Sequence, residues 1–90
     1  MAEATRLRVG FLLRLVQEGE SIPMPYSRTM AQVDGRCHEL RVREADSSWR
    51  VIYTIEPEAV VVLSVFRKQD QRTPKRVREQ VQRLLREWRR

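Results

Sequence analysis

Cysteine occurs once in this chain of 90 residues, at Cys37, so no internal disulfide can staple the fold. Histidine also occurs once, at His38, which excludes histidine-rich metal sites and the paired histidines of zinc proteases. Three glycines leave no glycine-rich phosphate loop. The longest apolar runs, Phe11–Leu13 and Ala59–Leu63, are far too short to span a bilayer, and no apolar leader opens the chain. A single cytoplasmic domain over residues 1–90, with no membrane association, is the expectation. Lysine is scarce too, at Lys68 and Lys75 only.

Arginine is abundant instead. Sixteen arginines and two lysines against twelve acidic residues give a formal net charge of +6. Arginine grips phosphate or carboxylate through a planar fork of donors, where lysine is a point charge. The balance suits a polyanionic partner, RNA, DNA or an acidic protein, although a solvated arginine-rich surface has the same composition.

Leu7, Phe11, Leu12, Leu15 and Val16 recur at helical spacing, which predicts a helix over 3–18 with this stripe packed inward and Gly19 ending it. Residues 19–35 read as a connector, because Pro23 and Pro25 bias Ile22 and Met24 to extended geometry. Tyr26 and Arg28 lie in it, and Asp34-Gly35 makes a turn. From Arg36 the period changes to two. His38, Leu40 and Val42 share one face, with Glu39, Arg41 and Arg43 on the other. Trp49, Val51, Tyr53 and Ile55 alternate with Arg50, Ile52 and Thr54. Val60–Phe66 is so continuously apolar that it predicts a central strand covered on both faces. Short connections make these three strands an antiparallel meander. Thr73-Pro74 supplies a helix N-cap, followed by Val77, Val81, Leu84, Leu85 and Trp88 as one apolar stripe. The fold class is α+β: an N-terminal helix packed on a small three-stranded sheet, then a C-terminal helix.

Strand parity sends Arg41, Arg43 and Arg50 to one open sheet face, with Arg67 and Lys68 following at the end of the next strand. Such a cluster can cradle a phosphodiester and stabilise charge developing on its oxygens. The alternative is a solvated face partly neutralised by Glu39 and Glu44. His38 is the first candidate for a general base, but its parity groups it with Leu40 and Val42 and predicts a half-buried structural residue hydrogen-bonded at the sheet edge. Cys37, His38 and Glu39 are consecutive, so a strand points them to opposite faces and they cannot close on one ion. Neither metal nor cofactor is expected. Trp49 and Tyr53 belong to the core by parity, leaving Tyr26 as the aromatic best placed to meet a base.

The order CHELRV, WRVIY, VVLSVFRK and then a Thr-Pro opening the last helix resembles the RelE/ParE toxin superfamily, in particular its HigB-like, phage-derived branch. The resemblance runs from the first helix onward and implies a RelE-like fold. It also implies the toxin of a type II toxin–antitoxin module, an endoribonuclease that cuts mRNA on the ribosome without metal. In that chemistry the ribose 2′-hydroxyl attacks the adjacent phosphate while basic side chains stabilise the transition state. By position the resemblance assigns catalysis to Arg50, Arg41 and Lys68, with Arg43, Arg67, Arg72 and Tyr26 as further RNA-binding candidates. Glu39 stands where better-studied toxins of the superfamily carry a lysine, and the family's opening strand has no counterpart before the first helix. The partners implied are mRNA with the ribosome and an antitoxin of helix-turn-helix type, in a hetero-complex or alongside a homodimer. Two other readings stay open: a catalytically degenerate module that binds antitoxin or nucleic acid, and a gyrase-poisoning toxin of the ParE kind.

Overall fold

The computed structural model describes residues 1–68 and 73–90. Helix α1 (Glu3–Gln17) leads into strands β1 (Ser27–Thr29), β2 (Cys37–Glu44), β3 (Ser47–Ile55) and β4 (Val60–Lys68), and helix α2 (Lys75–Trp88) follows. The strands form one antiparallel sheet in the order β1-β2-β3-β4. The α+β expectation holds, but the sheet has four strands rather than three. The extra one, β1, lies inside the stretch read as a connector, where three residues are too few to display a period.

The inner strands are β2 and β3, each with neighbours on both sides, and β4 is an edge. The expectation of a doubly covered Val60–Phe66 therefore fails, and Val62 and Val65 are 45% and 48% exposed. A register shift opposite Ile52 and Tyr53 helps to explain the deceptive pattern. A bulge places an extra residue in β4, so strict alternation is lost and the run reads as uniformly apolar.

The two helices cover opposite faces. Leu40, Val42, Val51 and Tyr53 pack with Val9 and Val16 of α1. Cys37, Ile52 and Leu63 pack with Val77, Val81 and Leu85 of α2. The arginine face is thus not the open side of a two-layer fold; its far half carries α2. Thr5, Val9 and Val16 are the buried side chains of α1, whereas Leu7 and Phe11 point outward. The inward stripe of α1 is thus rotated from the expected one. Val16 is buried and Leu12 packs against the same cluster as expected, while Val9 takes the inward place expected of Leu7, about 200° away around the helix. Gly19 ends α1 as expected, in the left-handed region at φ 91°. Trp88 at the end of α2 is likewise outside the core.

Acidic side chains dock both helix ends. Glu44 Oε2 accepts the backbone N–H of Ala2 at 2.8 Å, just before α1. Hydrogen bonds from Thr5 and Ala2 hold the Glu44 carboxyl down at about 2. Arg89 follows α2 and reaches Asp34 at 2.6 Å and Glu56 at 2.8 Å.

Candidate functional site

Glu39 is the third residue of β2 and has no exposed surface. Its parity sends the carboxylate to the α2 side of the sheet, where charges from two neighbouring strands meet it. Arg28 is its direct cross-strand partner on β1, and Arg41 and Arg50 are partners of each other across β2 and β3. Like charges directly opposite on adjacent strands repel. Glu39 offsets that repulsion: Oε1 accepts Arg50 Nη1 at 2.8 Å and Arg41 Nε at 3.3 Å, with Arg28 Nε 3.6 Å away. Oε2 accepts the Thr73 hydroxyl at 2.9 Å. Both carboxylate oxygens are engaged, and three guanidinium groups converge on one negative charge.

Arg50 is the most deeply placed of the three, 3% exposed, and its Nε donates to Ser48 Oγ at 3.0 Å. Burial pushes its pKa below the usual arginine value, helped by the neighbouring positive Arg41 and Arg28, while Glu39 pulls it back up. Lys68 is buried on the same face, opposite Ser48 at the end of β4. The three residues assigned to catalysis by the resemblance therefore share one end of one sheet face.

A cavity of about 600 Å³ opens beside this cluster, lined by Arg41, Arg43, Ser48 and Arg50 from the sheet, Arg8, Phe11 and Leu12 from α1, and Pro25 and Tyr26. It lies where β1 stops: Tyr26 C=O accepts the Arg41 N–H at 2.7 Å, and β1 pairs no residue of β2 beyond Leu40. Tyr26, Arg41, Arg43 and Arg50 are thus brought together as expected. Arg67 is not with them. It pairs with Trp49, on the α1 side of the sheet, and its Nε donates to Ser47 Oγ at 2.7 Å. Arg72 lies outside the described residues.

His38 points to the α1 face, its ring stacked on Tyr53 with centroids 5.3 Å apart. It is half-buried as expected, yet β2 is paired on both sides there and is no sheet edge. Burial lowers its pKa and favours the neutral ring. Cys37 is fully enclosed, and burial raises its thiol to about 11, which suits packing and not nucleophilic chemistry. Among the described residues no group of three or more His, Cys, Asp or Glu side chains could hold a metal ion.

Sequence reasoning missed Arg28 and Thr73, whereas neutralisation by Glu39 was its alternative reading of the face; Glu44, named with it, binds Ala2 instead. Thr73 was expected to cap α2, but Pro74 holds the N-cap position without a side-chain hydrogen bond and the Thr73 hydroxyl turns to Glu39 instead. Arg28 could be found only once β1 was recognised. For Glu39 the signal was present, since it shares parity with Arg41. A strand-length lever of that kind places opposite charges side by side.

A family model described as phage-derived protein Gp49-like (DUF891) matches residues 1–86. The chain belongs to the phage-derived Gp49-like family. No curated protein and no solved structure matches it. In this Gp49-like chain the phage-derived part of the resemblance is established. No helix among the described residues is long and apolar enough to cross a membrane.

Proposed function

We propose that this Gp49-like chain is the toxin of a toxin–antitoxin pair, binding mRNA at the ribosome and cutting it as an endoribonuclease of the RelE/ParE kind, on the HigB-like pattern. The observation that carries the reading is the convergence of Arg28, Arg41 and Arg50 on buried Glu39, with Lys68 on the same face and a cavity alongside. Three guanidinium groups and the Lys68 ammonium gathered on one sheet face offer several cationic donors where a phosphodiester can enter. The ribose 2′-hydroxyl attacks the adjacent phosphorus, the 5′-oxygen leaves and takes a proton from water, and the products are a 2′,3′-cyclic phosphate and a 5′-hydroxyl. Arg41 and Arg50 stabilise the extra negative charge on the phosphorane oxygens. Glu39 has both oxygens engaged and His38 faces the other side of the sheet, so the described residues contribute charge rather than a proton acceptor. The proton passes to water.

Expressing the intact chain and an Arg41→Gln variant, with growth and 5′ mRNA ends followed, tests this. The intact chain should arrest growth and create new ends. Arg41→Gln should cut about 100-fold more slowly, in the range seen when one oxyanion donor is removed. Arg41 is the better choice for this test because Arg50 and Lys68 are buried. No toxicity and no new ends from the intact chain would sink the nuclease reading. An acidic antitoxin of helix-turn-helix type would complement the +6 charge and silence the site by covering the arginine cavity or the apolar margin at Val62 and Val65.

The engagement of Glu39 also favours a second reading, a non-catalytic module that binds the antitoxin or RNA without cutting. Copurification with such a partner while RNA stays intact would select it.

A further inference from the structure

Phe11 is 60% exposed on α1, although its helix has a well-filled inner face, and Tyr26 is 57% exposed just before β1. Both rings line the cavity that holds Arg41 and Arg50. Neither ring is used by the core, and a large exposed aromatic pair has no packing reason to sit among arginines. Arg8 and Arg43 line the same cavity, and among the described residues neither makes a salt bridge. In an antiparallel strand every second residue directs its backbone to the same side. The Arg41 N–H meets Tyr26 C=O, so the backbone of Arg43 points the same way, beyond the last β1 partner.

We propose that this cavity is a nucleotide subsite for single-stranded RNA, where Phe11 and Tyr26 stack on a base next to the reacting phosphate and Arg8 and Arg43 hold a flanking phosphate. The inference rests on the RNA reading above and extends it from charge to base recognition, onto α1. Every base has a π-face, so the rings select unpaired nucleotides over duplex without demanding one sequence. The outward Arg43 backbone offers a donor and an acceptor to a base edge. An acidic peptide would satisfy the arginines equally, but it would leave the two rings without a function.

The test is fluorescence anisotropy with a labelled single-stranded oligoribonucleotide, a matching abasic strand and a polyglutamate peptide, on the intact chain and on Phe11→Ala, Tyr26→Ala, Phe11→Leu, Arg8→Ala and Arg41→Gln variants. Phe11→Ala and Tyr26→Ala should each weaken the base-bearing strand about tenfold and leave the abasic strand unchanged. Phe11→Leu keeps the apolar volume and should still lose most of that affinity. Arg8→Ala should weaken both strands alike. Because both rings are exposed, the variants should melt with the intact chain, which thermal unfolding checks. If the ring variants bind the base-bearing strand as tightly as the intact chain while Arg41→Gln does not, the subsite is wrong and the RNA reading stands. If the intact chain binds neither strand, the RNA reading falls and the subsite with it. Tighter binding of polyglutamate, equally sensitive to Phe11 and Tyr26, would assign the cavity to a protein partner and overturn the proposal.

Discussion

At the scale of single residues, Glu39 organises the site without being available to react. A fully buried carboxylate beside a nearly buried Arg50 is held by mutual compensation, so removing one member takes from the other its 2.8 Å partner inside the sheet. Glu39→Gln should therefore destabilise the fold by about 3–5 kcal/mol. Replacing both Glu39 and Arg50 by Met should recover much of the loss, because buried ion pairs are often no more stabilising than packed apolar groups. Urea unfolding of Glu39→Met, Arg50→Met and the double variant reads this directly; additive losses would show that the pair is not coupled. Arg41 is more exposed than Arg50 and its loss leaves Glu39 with Arg50 and Thr73, so cleavage and stability should separate there. Parity in the sequence was enough to align Arg41 and Arg50 on one face. It could not show that Arg28 arrives from a third strand or that Thr73 turns away from its own helix, because both depend on long-range packing.

At the scale of elements, α2 is fastened to the sheet at its far end by one side chain. Arg89 donates to Asp34 and Glu56 together, and this lowers Asp34 from 3.8 to about 2 and Glu56 from 4.5 to about 2. The Arg89 value moves up in return. Both acids are depressed in the folded state, so their stabilisation is complete above the unfolded values, near pH 4, and is lost as pH falls towards 2. The melting temperature should drop through that interval. Arg89→Gln should lower it at neutral pH and flatten the acid limb. Glu44, also held at about 2, keeps part of the acid dependence in that variant. An unchanged acid limb in Arg89→Gln would remove Arg89 as its cause. Several elements were legible from period alone: α2 through Val77, Val81 and Leu85, and β2 and β3 through their alternation. The rank of β4 was not legible. Valines fit an edge as readily as a centre, and only partner strands distinguish the two.

At the scale of the whole molecule, the proposed RNA reading makes a prediction about ionic strength, from the +6 charge and the arginine-lined cavity. Each phosphate neutralised on a single strand contributes about 0.7 to the salt slope, so contacts from Arg8, Arg41, Arg43 and Arg50 predict a log–log slope near −3. Arg8→Ala should reduce it by about 0.7. A slope near zero would place binding elsewhere than in the arginine cavity. The position of β3 between two strands and two helices bears on timing as well. Backbone amides open for hydrogen exchange according to how much structure must come apart with them. Those around Arg50 need the sheet and both helices to yield, whereas Tyr26 stands beside a strand of three residues. Exchange should be slowest along β3 and fast at Tyr26. Phosphate would then meet a fixed cation, while successive bases along a message meet a ring that can adjust to each of them.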